Sequence, residues 1–274
     1  MTEAAIPPLR DEGPSTRLLE EQQGGVVILT ISNPPMRNAL GPEVYTGLAS
    51  IALRVRTDAT IRAVVLTGAN GVFCGGGNLN RISNNQLKTR EFQANSVDVL
   101  HNAVKLIRTC PVPFIAAVEG AAAGAGFSIA LQCDLIIAAE DARFVMAYVK
   151  SGLSPDGGGS AMLGQQLPRQ LAFELMAFGD AISAQRLHAL GVVSQCVPKG
   201  DALKVALAAA HRLAAGPRQT LGRIKRLSEQ AAGSQAAQLD LERDMLVDSV
   251  HGAESKEGIS AFLDKRTPDF SNPA

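Results

Sequence analysis

One carboxylate stands alone in the stretch GLSPDGGGS: Asp156, between Pro155 and the glycines Gly157, Gly158 and Gly159. An acid in such a setting serves a turn or a helix N-cap, because its oxygens satisfy nearby backbone amides. In a pocket the same acid is a proton carrier. Two other stretches are rich in small residues, Cys74-Gly75-Gly76-Gly77-Asn78 and Gly120-Ala121-Ala122-Ala123-Gly124-Ala125-Gly126. Small residues let backbone N–H groups approach a ligand, and a helix start presents N–H groups that lack partners. One amide from each loop makes a two-donor cradle for an oxyanion. The same glycines equally suit plain turns, or close packing of helix on strand.

Several other chemistries lack their residues. Gly124-Ala125-Gly126 is followed by Phe127, Ser128 and Ile129, so the dinucleotide fingerprint GxGxxG is absent. No GKS or GKT marks a phosphate loop, and no GxSxG marks a hydrolase elbow. Cys74, Cys110, Cys133 and Cys196 form no CxxC, and His101, His188, His211 and His251 form no HxxxH, so no metal site is expected. Lys plus Arg equals Asp plus Glu, 26 of each, which gives no general attraction to nucleic acid or anionic membrane. The cluster Arg218, Arg223, Lys225, Arg226 reads as a solvated helix face. No apolar stretch is long enough to span a bilayer and no signal peptide opens the chain, so a cytoplasmic protein is expected.

The elements that must position these residues follow from the apolar pattern. VVILTIS (Val26–Ser32), IRAVVLTG (Ile61–Gly68), PFIAAVEG (Pro113–Gly120) and CDLIIAAE (Cys133–Glu140) read as strands, with RFVMA (Arg143–Ala147) as a short fifth. Helices are expected from Pro42 to about Thr57, over residues 91–108, and after the alanine-rich loop. Strands separated by helices imply an α/β fold with mainly parallel sheet, and the continuous apolar strands suit a sheet buried on both faces. Residues 1–23 read as a loose tail, 24–200 as the core and 201–274 as a C-terminal helical region.

Five stretches occur in one order and register: NPPMRNAL, VFCGGGNL, AVEGAAAGAGFSIALQCDLIIAAEDARF, GLSPDGGGS and AISAQRLHALGVVSQCV. Together they resemble the crotonase superfamily of enoyl-CoA hydratases and isomerases. The resemblance implies a spiral of ββα units with a C-terminal helical region that assembles a homotrimer or a dimer of trimers. It also implies an acyl-CoA substrate, with coenzyme A as part of that substrate and no separate cofactor. The thioester enolate oxygen would rest on the Gly77 and Ala125 amides. Asn33, Pro34, Arg37, Ala39, Leu40, Gly75, Gly76, Asn78, Leu79 and Gly124 would line the bound thioester, with Arg37 as a phosphate contact. Phe262 and Lys265 would reach the nucleotide of a neighbouring subunit.

Two departures from the family pattern matter. Asn78 stands where the family usually has Asp, and can still cap the loop. Ser128 and Tyr148 stand where hydratases carry the two glutamates that position and activate water. A hydroxyl titrating near 10 is no base at neutral pH, so water addition is disfavoured. Asp156 matches the acid of members that move double bonds or open rings. The expectation is an isomerase in which Asp156 removes and returns a proton beside an apolar wall, with Ser128 and Tyr148 bordering the acyl group. Hydratase activity, or a non-catalytic relative that binds CoA or RNA, are the alternatives.

Overall fold

The computed structural model describes residues 9–216, 218–231, 239, 243–244, 246–248 and 250–268. Six strands form one sheet: β1 (Arg17–Gln23), β2 (Val26–Ser32), β3 (Ala63–Gly68), β4 (Phe114–Val118), β6 (Leu135–Ala139) and β9 (Gln195–Val197), in that spatial order. β1 and β2 pair antiparallel, and every later pair is parallel. A small second sheet joins β5 (Ala121–Ala123), β7 (Arg143–Val145) and β8 (Ala181–Ser183).

The parallel strands are apolar throughout because both faces are covered. Val27, Leu29, Val64, Leu66, Phe114, Ala116, Ile136 and Ala138 enter one core. The alternate residues Val26, Ala63, Val65, Ile115, Ala117 and Ile137 enter another, under α8 (Ala202–Ala215). α8 meets that face with Ala202, Ala206, Ala210 and Ala214, a stripe of methyl groups at helical spacing that lets backbone approach sheet. On the opposite face lie α1 (Pro42–Thr57) and α3 (Arg90–Arg108), which pack on each other. Among the described residues no helix is long and apolar enough to cross a membrane.

Parallel pairing places the C-terminal ends of β2, β3 and β4 at one edge of the sheet. The three segments leaving that edge are NPPMRNAL, the glycine loop and the alanine-rich loop, all of which sequence selects as chemically interesting. The glycine loop leads into α2 (Leu79–Asn85) and the alanine-rich one into α4 (Ala125–Leu131). After β7 the chain makes a 3-10 segment, Ala147–Ser151, then passes Asp156 and enters α5 (Gly159–Gln166). α6 (Arg169–Phe178), α7 (Ala184–Ala189) and α9 (Arg218–Ala231) complete the helices up to residue 231. α10 (Ala253–Leu263) packs on α2 and on the 3-10 segment.

Three expectations change. Residues 1–8 lie outside the described residues, but 17–23 form an edge strand and not a loose tail. β1 is exposed and polar because it pairs on one side only, so its sequence carries little apolar alternation. Residues 10–16 are tied down as well. The Arg10 amide donates to Asn84 Oδ1 at 2.7 Å, Asn84 Nδ2 donates back to Arg10 O at 2.9 Å, and Asn78 Nδ2 donates to Glu12 O at 2.8 Å. The strands β5, β8 and β9 are three residues each, too short to stand out as apolar runs.

The basic cluster on α9 is also more than a solvated face. Arg223 and Arg226 are exposed, but Arg218 donates to the carbonyls of Val55 and Ile61. Lys225 is buried, with Nζ 2.7 Å from Asp134 Oδ2 and 5.3 Å from the centre of the Phe114 ring. Asp134 Oδ2 also accepts from the Phe114 amide at 2.8 Å. Removing the cation strands a carboxylate that is three-quarters covered. Lys225→Ala is therefore expected to cost about 2–3 kcal/mol of stability, read as a lower urea midpoint at unchanged slope.

Candidate active site

The glycine loop and the alanine-rich loop run side by side as a short parallel pairing. The Cys74 amide donates to Ala121 O and the Ala123 amide to Cys74 O, each at 2.9 Å. A third segment joins them. The Leu40 amide donates to Gly76 O at 2.7 Å and the Gly75 amide to Arg37 O at 2.8 Å. Gly76 takes φ +106, and a side chain there would press within 3.1 Å of Ala123 O. Gly126 faces Cys74 so closely that an added Cβ would lie 2.6 Å from the Cys74 Cβ and 2.9 Å from its carbonyl oxygen.

This pairing brings the two expected donors to neighbouring backbones. Among the described residues, neither the Gly77 nor the Ala125 amide donates a hydrogen bond, although Ala125 is buried. An unsatisfied buried amide is costly, so the free Ala125 amide beside that of half-buried Gly77 is chemically notable. Asn78 caps α2 by accepting from the Arg81 amide at 3.2 Å, so the replacement of Asp by Asn keeps the cap. Leu79 opens the same helix and Gly124 donates to Val145 O at 2.8 Å, which ties the alanine-rich loop to β7.

Asp156 is 8% exposed. The Tyr148 hydroxyl donates to its Oδ1 at 2.6 Å, and Ser128 Oγ lies 3.1 Å from that same hydroxyl. Ser128 and Tyr148 are both buried. The three positions thus meet, and the wall beside Asp156 is a hydrogen-bonding one instead of the apolar one expected. The glycines that follow have separate reasons. Gly157 and Gly158 take φ +61 and +77, values that side chains disfavour. A side chain at Gly159 would collide with Ser128 Oγ and approach Met146 Cε to 2.8 Å. Gln132 Nε2 holds the turn by donating to Gly157 O at 2.9 Å.

Two further groups bear on this turn. The Gly157 amide donates to His101 Nε2 at 3.4 Å, from a histidine that is 1% exposed. Tyr45, on α1, has its hydroxyl pushed far up by burial; Arg81 opposes that, while the Asp156 charge adds to it. Tyr45 and Tyr148 are the chain's two tyrosines, and Tyr148 is the one that meets Asp156. Cys74 is held as a thiol, pushed up to about 12 by burial, and is packing.

The NPPMRNAL stretch divides between packing and surface. Asn33 turns inward: Nδ2 donates to Pro14 O at 2.7 Å and to Thr16 Oγ1 at 3.0 Å, so its side chain anchors the N-terminal segment instead of facing a ligand. Ala39 and Leu40 are buried, and Pro34 and Arg37 are exposed. The wholly buried Asn38 carries more structure than expected, donating from Nδ2 to Ala69 O at 2.9 Å and Val72 O at 2.6 Å. Phe262 sits exposed near the end of α10 and Lys265 just beyond it. Among the described residues no group of three or more His, Cys, Asp or Glu side chains gathers as a metal site.

The close approach at Gly126 gives a direct test of loop pairing. Gly126→Ala must push α4, and with it the Ala125 amide, away from Cys74. Turnover of an acyl-CoA substrate is expected to fall about a hundredfold, as for losing one oxyanion donor, with helical content by circular dichroism preserved.

Comparison with known proteins agrees with this geometry. The sequence pattern described as enoyl-CoA hydratase/isomerase matches residues 21–273. The 1,2-epoxyphenylacetyl-CoA isomerase of Escherichia coli is 38% identical, over 93% of this chain and 98% of its own. The 2,3-dehydroadipyl-CoA hydratase of the same organism is 32% identical, over 93% of this chain and 98% of its own. A crystal structure of an enoyl-CoA hydratase from Polaromonas sp. JS666 superposes with a TM-score of 0.77 at 50% identity, covering 92% of this chain and 99% of that one. Paired loops, strand order and near full-length similarity place the chain as an enzyme of the enoyl-CoA hydratase/isomerase family, with the crotonase fold.

Proposed function

We propose that the protein isomerises an acyl-CoA thioester by carrying a proton on Asp156 while the enolate oxygen rests on the Gly77 and Ala125 amides. The observation that carries this reading is the set of groups around Asp156. It is a buried carboxylate held by the Tyr148 hydroxyl, which Ser128 in turn meets, and these two hydroxyls stand where a hydratase of the family has glutamates. With one carboxylate in that trio, a single acid is available to carry a proton. The carboxylate takes a proton from carbon, and the electron pair moves onto the thioester carbonyl oxygen. The two amides stabilise that charge, and the carboxylic acid returns the proton to another carbon. With an enoyl thioester the double bond moves and no atom is gained or lost.

Similarity to the Escherichia coli 1,2-epoxyphenylacetyl-CoA isomerase supports a ring-epoxide or enoyl thioester as the substrate class. Coenzyme A enters as part of the substrate, beside Arg37, and no metal or redox cofactor takes part. The same reading has the protein acting in the cytoplasm as a homotrimer or dimer of trimers, with Phe262 and Lys265 exposed for a neighbouring subunit. Water addition is the second reading, favoured by the 50% identity to the Polaromonas enoyl-CoA hydratase.

Asp156→Asn keeps the size and a hydrogen-bonding side chain but cannot accept the proton. Its kcat for isomerising a 3-enoyl-CoA or a ring-epoxide thioester is expected to fall about 10²–10⁴-fold, with binding of a saturated acyl-CoA retained in calorimetry. The unaltered protein is expected to hydrate a short 2-enoyl-CoA far more slowly than it isomerises. Rapid hydration that survives Asp156→Asn would replace this reading with the second.

A further inference from the structure

We propose that Tyr148 is a positioning residue: it holds the Asp156 carboxylate ionised and in one orientation, and Ser128 in turn sets the Tyr148 hydroxyl. This rests on the reading of Asp156 as proton carrier and deepens it.

The hydrogen bonds have a direction. Tyr148 has one hydroxyl proton, and at 2.6 Å from Asp156 Oδ1 it points to the carboxylate. The Tyr148 oxygen is then an acceptor toward Ser128 Oγ at 3.1 Å, so Ser128 donates. The series runs Ser128 to Tyr148 to Asp156, from α4 through the 3-10 segment to the turn before α5. Ser128 is fully buried, and its amide donates to Gly124 O at 3.0 Å in the first turn of α4. The same helix begins with the Ala125 amide. One short helix therefore fixes both an oxyanion donor and the far end of the series that holds the base.

Two physical effects follow. A carboxylate turns broadly about its last torsion, and a donor on Oδ1 stops that turning. A hydrogen bond to the ionised form also favours that form, against the cost of burial. Other titratable groups face this carboxylate. Tyr45 on α1 is electrostatically linked with it, and with Arg81 on α2 and Cys74 in the glycine loop. His101 comes from α3 and meets the neighbouring Gly157 amide. Histidine titrates in the range of a pH–rate profile, so the test reads Asp156 itself.

Tyr148→Phe removes the donor and keeps the ring. In the free protein, labelled with ¹³C at the aspartate side-chain carboxyls, the Asp156 resonance is assigned by its absence in Asp156→Asn. Its titration is expected to move up by about one pH unit in Tyr148→Phe, and by less in Ser128→Ala. The sign follows from charge: the base works when ionised, activity is lost as pH falls through its titration, and a raised titration moves that loss to higher pH. The acid limb of kcat is therefore expected to shift upward, with kcat near neutrality down about tenfold and KM changed by no more than about twofold. An Asp156 titration that does not move in a folded Tyr148→Phe protein overturns the proposal. If Asp156→Asn still isomerises, it is the proton-carrier reading that fails, and the carboxyl titration alone then decides whether Tyr148 holds the ionised form.

Discussion

Main-chain bonding between two loops sets the conditions for everything else in this site. The Cys74 and Ala123 amides cross-link the glycine loop to the alanine-rich loop at 2.9 Å, and Leu40 adds a third segment through Gly76 O. Such bonds need backbones within about 5 Å of each other, which explains the run of glycine and alanine on both sides. Their effect is to present two amides without protein partners from fixed frames. Donors held by backbone pairing do not need to reorganise when charge develops on an oxygen between them.

The acid side of the site obeys a different constraint. A buried carboxylate is costly unless it is hydrogen-bonded. Asp156 meets that requirement through Tyr148, and Tyr148 through Ser128. Both of these partners are neutral hydroxyls. Within that trio Asp156 is the one carboxylate.

Strand directions, most helices and the two small-residue loops were legible in the sequence because each rests on a local pattern. β2 is an unbroken β-branched run, α1 opens on Pro42, and the glycine and alanine loops interrupt apolar segments at strand ends. The strap at residues 10–16 was not legible. It is held by Asn78 and Asn84, some seventy positions later in the chain, and no local periodicity records such a bond. Lys225 failed the same way: on α9 it looks like its exposed neighbours, and only Asp134 and Phe114 across the interface bury it.

By itself the sequence determined the composition of the site: one acid in a proline–glycine turn, two loops of small residues, and hydroxyls where the family has glutamates. These are chemical identities, which folding does not alter. The tertiary structure decided their relations. It turned Tyr148 from a bordering side chain into the donor on Asp156, put His101 against the neighbouring Gly157 amide, and sent Asn33 inward to anchor the N-terminal segment. Those outcomes depend on which distant surfaces meet when both faces of the parallel sheet are covered, and distance along the chain carries no trace of that meeting.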